Sequence, residues 1–294
     1  MRLFCTALSS DSSQAFSDAA ARPPSADAIK CREVNTRKTY KYSQPHQRHD
    51  VWLDALGLVQ SGEVVALNDS THPLAERFRA FVRDRSFPCV GAKSAIGRDQ
   101  MTFVVARDIG SAWDDLRIYG ALLGFATAYR QDPKLFQSFV VIFKGPRLIS
   151  ERQFEQSLWT RAQSLTDKDA WHGQDYDARV SADPDNPHFS LSFGGQGFFV
   201  VGLHPHASRP ARRFERPALV FNLHDQFERL RDENRYETLR ESILERDVAI
   251  AGSVNPMLAR HGEASEARQY SGRAVDDDWT CPFSVKAKIS HDDL

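Results

Sequence analysis

What the chain has little of narrows it first. Its 294 residues include only four cysteines, Cys5, Cys31, Cys89 and Cys281, and no two of them form a CxxC pair. That argues against a zinc ribbon or a thioredoxin-like site, and so few thiols in so long a chain do not read as a disulfide framework. A reducing, cytoplasmic location is the expectation. Long hydrophobic runs are missing too. "FVVIF" and "FFVVGL" are strand-sized, well short of the roughly 20 apolar residues that span a bilayer. The apolar part of "MRLFCTALSS" is too short for a secretory signal. Excess charge of either sign is absent, with 38 basic residues against 39 acidic and a net charge of −1. No global field therefore favours nucleic acid or an anionic membrane. Nor is there a dinucleotide-binding glycine fingerprint, a P-loop or a GxSxG elbow.

What is present supports a core. Hydrophobic residues make up 41% of the chain, with 19 phenylalanines, the composition of a globular protein. Residues 1–48, with "SSDSSQ", "AAARPPSADA" and "TRKTYKYSQPHQRH", read as a polar, mobile N-terminal extension. Residues 49–294 form the folded part. "PLAERFRAFVRD" has helical apolar spacing, whereas "FPCVGAKSAI" and "MTFVVARDI" look extended. "SAWDDLRIYGALLGFATAYRQDP" predicts a buried helix with Ser111 and Asp114 as a capping box. "FQSFVVIFKGP" is a strand, and "SERQFEQSLWTRAQSL" a helix capped by Ser150 and Gln153. After a polar loop over 166–187, "HFSLSFGGQGFFVVGLHP" reads as a hairpin turning at "GGQG". "PALVFNL" is a further strand before a mostly helical stretch, with Asp225 as the helix N-cap. Strands and helices do not alternate regularly, so the fold class is α+β: a single domain with a mixed or antiparallel sheet flanked by helices.

The chemistry concentrates where the hairpin ends. In "FFVVGLHPHASRPARRF", residues 198–214, a strand runs into His204-Pro205-His206, and Arg209, Arg212 and Arg213 follow, with Arg216 just beyond. Pro205 holds His204 in extended backbone at the rim of a sheet. A neutral imidazole presented this way suits a metal or haem iron; the plain alternative is a histidine bonded to a backbone carbonyl. His206 is the rival ligand. The arginines suit carboxylates or phosphates, haem propionates included, or they form a solvated turn. "RHGEASEARQYSGR", residues 260–273, gathers His261, Glu263, Glu266, Arg268 and Arg273. Its carboxylates match a guanidinium, and its plain reading is a charged loop. Cys89 and Cys281 lie in Phe/Pro contexts that favour inert buried thiols over thiolate ligands. His224 stands beside Asn222 and Asp225 at a strand-to-helix junction.

These stretches, with "DPKLFQSFVVIF", "LVFNLHDQFERLR", "RYETLRESILERD" and "WTCPF", resemble the YqcI/YcgG family from about Phe87 to Phe283. That family includes haem-dependent N-hydroxylases, among them enzymes of guanitoxin and D-cycloserine biosynthesis. The resemblance implies haem b, dioxygen, and hydroxylation of a guanidine or amine nitrogen of an amino-acid substrate, arginine or a relative. It makes His204, in the family's "GLHP" motif, the proximal iron ligand. Under it Arg209, Arg212, Arg268 and Arg273 are candidates for propionates or a substrate carboxylate, and Glu263 and Glu266 for a cationic substrate. A separate reductase supplies electrons, no nucleic acid or membrane partner is implied, and a homodimer is left open. Three other readings stand beside it: a non-catalytic haem-binding or trafficking protein, a non-haem metal enzyme using His204, His206 and His261, and a phosphate-ligand binding domain.

Overall fold

The computed structural model describes residues 68–258 and 262–285, and the backbone of two short strands before them. Those strands, β1 (Val59–Gln60) and β2 (Glu63–Val64), pair antiparallel. The N-terminal extension expected over 1–48 lies outside the described residues.

Helix α1 (Pro73–Arg83) starts as its sequence suggests, with Pro73 in the first turn and the His72 ring accepting from the Leu74 amide. Helix α2 (Val90–Gly97) replaces the extended segment expected over "FPCVGAKSAI". The Cys89 sulfur caps it by accepting from the Ala92 amide, and Gly91, Ala92, Ser94 and Ala95 are too small to favour a strand. Strand β3 (Met101–Asp108) leads into a 3₁₀ turn and helix α3 (Asp115–Gln131). The capping box expected there does not form: Ser111 caps the turn, but Asp114 accepts from the Arg107 amide instead. Strand β4 (Ser138–Gly145) precedes helix α4 (Glu151–Trp171), which has the expected Ser150/Gln153 box. Its last turns take in residues 166–171 of the expected polar loop, because Thr166 and Asp169 are buried against the core.

The hairpin is β5 (Leu191–Phe193) and β6 (Gln196–Leu203), turning at Gly194 and Gly195, both at positive φ. Strand β7 (Ala218–Leu223), helix α5 (His224–Asp232), helix α6 (Tyr236–Ala251) and the single turn α7 (Ala267–Tyr270) complete the order. Asp225 is not the N-cap of α5; it accepts from the Tyr129 hydroxyl at 2.6 Å and from Arg179 at 2.9 Å.

The five-stranded sheet has the order β3-β4-β7-β6-β5. β3 and β4 pair in parallel through α3, and every other pairing is antiparallel. Consequently β3, β4 and β6 run the same way and end at one edge, at Asp108, Gly145 and Leu203. One face of the sheet carries α3, α4 and α7 over a core that includes Phe139, Phe198 and Phe221. The other carries α1 and α2 over Phe103, Val140 and Leu203. This is the α+β arrangement of a mixed sheet flanked by helices. Among the described residues no helix is long and apolar enough to cross a membrane.

Two contacts fix α4. At its start, a Cβ on Gly202 would sit 2.6 Å from Phe154 and 2.9 Å from Leu158, so the helix packs against bare strand backbone. At its end, Asp169 is buried and accepts from the Tyr119 hydroxyl at 3.0 Å and from the Gly194 amide. Burial raises the Asp169 carboxyl to about 7; the Gly194 amide, Tyr119 and the nearby Arg130 pull the other way and lose.

Gly202→Ala is expected to lower stability by about 1–3 kcal/mol through overpacking against Phe154, read by denaturant unfolding. For Asp169, the folded state keeps its proton to about pH 7 and the unfolded chain releases it near 3.8. Stability therefore falls as pH rises from about 4 to 7. Asp169→Asn should flatten that slope, by on the order of 2–4 kcal/mol across the window, in unfolding curves taken against pH.

Candidate functional site

The carboxyl end of β6 delivers His204 to the sheet edge, as its sequence suggests, but not to an open rim. The residue is 1% exposed. The Phe154 ring from α4 stacks on the imidazole, centroids 4.5 Å apart at 27°, because Gly202 leaves room for it. The His204 amide donates to the Arg212 carbonyl at 3.0 Å, closing the turn that follows. Its Nδ1 is buried and has no hydrogen-bond partner. Burial lowers the imidazole to about 4, with Glu151 opposing and His206 and Arg212 adding to the shift. His204 is therefore neutral at physiological pH, with a nitrogen lone pair or N–H that no protein group satisfies. A buried polar atom left this way costs about 1–3 kcal/mol.

His206 is exposed. It lines a groove of about 840 Å³ at the start of α4, with Leu148, Glu151, Arg152 and Arg273. The Glu151 carboxylate is held by the Ser208 amide at 2.7 Å, which ties the turn to the helix. His261 lies outside the described residues. Among the described residues no group of three His, Cys, Asp or Glu side chains is arranged to hold a metal ion.

The arginines are engaged with the protein itself. Arg212 donates to the carbonyls of Gly202 (3.0 Å), Tyr270 (3.2 Å) and Gln269 (3.1 Å), and burial lowers its guanidinium to about 10. Arg209 pairs with Asp247 of α6 at 2.5 Å and bonds the Ser253 carbonyl. Arg213 bonds the carbonyls of Ala207 and Ser208, and Arg216 that of Lys144. Arg273 pairs with the buried Glu155 at 2.6 Å. Arg268 bonds the Asp276 carbonyl and lies over the Trp279 ring.

Glu263 is exposed and Glu266 half-buried. The charge of Glu266 acts on Tyr270, whereas the charges acting on His204 come from Glu151, His206 and Arg212. The Tyr270 hydroxyl lies at the Phe198 carbonyl, 3.2 Å away. Phe198 is six strand positions before His204, about 20 Å at the usual rise per residue. The Tyr270 hydroxyl thus lies well down β6 from the imidazole, while the Tyr270 carbonyl shares the Arg212 guanidinium with that of Gly202. Both thiols are pushed up by burial, Cys281 to about 12, which fits the inert reading.

Sequence reading missed a second polar cluster. His224 sits between Ser190, whose Oγ is 3.4 Å from Nδ1, and Glu228, whose Oε1 is 3.1 Å from Nε2. The signal was available for half of it: His224 and Glu228 are four residues apart on one helix. Ser190 reaches them only through the sheet.

The role of Arg212 can be tested directly. Arg212→Met leaves three carbonyls unpaired and should cost at least about 3 kcal/mol, read by thermal or denaturant unfolding. A guanidinium whose task is to meet a ligand would instead leave stability intact and lose only the ligand.

Comparison with curated proteins and with solved structures gives no match. A family model does match, over residues 78–284, which takes in the sheet, His204 and the Ser190 cluster. With most of the chain covered, this protein belongs to the YqcI/YcgG family.

Proposed function

We propose that the protein is a haem-binding monooxygenase that hydroxylates a guanidine or amine nitrogen of an amino-acid substrate, with His204 as the iron ligand. The observation that carries this reading is the state of His204: buried, neutral, held in one orientation by Phe154, and with Nδ1 unpartnered. An iron ligand must be an unprotonated imidazole with a free nitrogen, so the donor fits. The arginine set fits less well as a propionate clamp, because each of its members already bonds protein acceptors.

Haem bound there would supply the oxygen chemistry that side chains lack. The chain's own part is narrower. Phe154 fixes the ring plane, and Arg212, through Gly202 and the His204 amide, holds the backbone that carries it. Glu266 offers a carboxylate to the cationic end of a substrate. An external reductase completes the system, as no flavin or nicotinamide motif is present in the sequence. A haem-binding protein without turnover would share the His204 chemistry and differ only in lacking a product.

The test is the visible spectrum of the purified protein, reconstituted with haem, oxidised and then reduced under carbon monoxide. The expected result is a Soret band that shifts with carbon monoxide and is lost or altered in His204→Ala while folding is kept. A colourless wild type after haem addition would sink the proposal, and a spectrum untouched by the substitution would move the ligand away from His204. Oxygen-dependent product from arginine or a related guanidine then separates the enzyme from the carrier.

A further inference from the structure

We propose that the groove at the start of α4 holds the head group of an α-amino acid, with Arg152 on its carboxylate and Glu151 on its ammonium. The groove has a volume of about 840 Å³ and is walled by Leu148, Glu151, Arg152, His206 and Arg273, a size that suits a small molecule. Its charged side chains differ in what they already do. Arg273 is engaged by the protein, paired with Glu155 at 2.6 Å. Arg152 is exposed, and among the described residues it makes no hydrogen bond, ion pair or ring contact. Glu151 is half-buried, and its carboxylate is held in place by the Ser208 amide on Oε1 at 2.7 Å. Among the described residues Oε2 has no hydrogen bond, and no ion pair joins Glu151 to Arg152. Adjacent helix positions point about 100° apart, so the groove receives both charges without letting them meet.

A cation and an anion in one groove, neither neutralising the other, match a ligand that carries the same two charges on one carbon. A guanidinium meets a carboxylate through two parallel hydrogen bonds. The backbone helps on the same side. The amides of Glu151 and Arg152 open a 21-residue helix and are unbonded among the described residues, and free first-turn amides favour an anion. The fixed Glu151 carboxylate receives the ammonium. It also argues against phosphate, because a dianion in this groove would face a like charge at close range. Leu148, 83% exposed, adds an apolar wall for side-chain methylenes.

The groove adjoins the turn that carries His204. Glu151 and Phe154 are three positions apart on α4 and share a face. Phe154 stacks on the His204 ring, and Glu151 holds Ser208, four residues beyond it. His206 lines the groove directly. A ligand gripped by Glu151 and Arg152 therefore lies against the same helix turn that covers the imidazole. That this ligand is the substrate rests on the function proposed above; the head-group site itself rests on the groove and its two unpaired charges.

The test is calorimetric titration of the full-length protein, as purified and after haem addition, with L-arginine and a panel of other α-amino acids. The tightest binder is then compared with its decarboxylated amine and its Nα-acetyl derivative, which for L-arginine are agmatine and Nα-acetyl-L-arginine. The expected result is that wild type binds each derivative at least about 10-fold more weakly, the scale of one lost charged hydrogen bond. Arg152→Gln should weaken the amino acid by about 10- to 100-fold and leave the amine's affinity unchanged. Glu151→Gln, which keeps an acceptor for the Ser208 amide, should weaken the amino acid to the same degree and leave the acetyl derivative unchanged. Melting curves check that both variants fold. Equal affinity of wild type for the amino acid and its amine would overturn the proposal. So would an Arg152→Gln variant that weakens both alike, or no binding across the panel. The haem reading fails separately: no Soret band with this discrimination intact sinks that reading alone, and a His204-dependent Soret band without the discrimination sinks this one alone.

Discussion

The guanidinium of Arg212 ties three pieces of chain together at one point. It binds the Gly202 carbonyl on β6, and the Gln269 and Tyr270 carbonyls at the end of α7. Its own carbonyl receives the His204 amide. A fork with several donors in fixed geometry can satisfy three carbonyls at once, where a lysine would offer one compact ammonium. Next to it lie the His204 ring stacked on Phe154, Tyr270 stacked on Trp159, and the Arg273–Glu155 pair.

That use of arginine explains why a basic stretch spends most of its guanidinium donors on the protein itself. "SRPARR" looks like an anion site in one dimension. In the fold, Arg209, Arg212 and Arg213 each turn inward or along the chain to meet carbonyls or Asp247. Irregular segments have backbone acceptors that no helix or ladder satisfies, and buried acceptors need partners. The turn after β6 and the segment around α7 are both irregular, and the arginines supply the missing donors.

Much of the fold was legible because periodicity reports burial. β3, β4, β6 and β7 were recognisable as apolar, β-branched runs, and α1 and the start of α4 by spacing and caps. The misses have local causes. Small residues at 91–95 carried no strand or helix preference strong enough to read, and Cys89 is an unusual cap. Asp225 had the composition of an N-cap, but Tyr129 and Arg179, distant in sequence, outbid the helix end for its oxygens. His204 was legible as a residue and not as an environment. The Phe154 ring that covers it comes from a helix some fifty positions earlier, admitted by the absence of a Cβ on Gly202. Ser190 carries no motif at all, and the β5–β6 and β6–β7 pairings together bring it to His224.

The strand order has a consequence for how the chain acquires its shape. β7 lies at the centre of the sheet, yet it is the last strand to emerge during synthesis. Until residue 223 is available, β3 and β4 on one side and the β5–β6 hairpin on the other have no common partner. Each half then shows an unpaired, apolar strand edge, the kind of surface that recruits other chains. Vectorial folding can assemble the two halves but cannot close them. The nascent protein must keep β4 and β6 apart from foreign strands until β7 arrives between them.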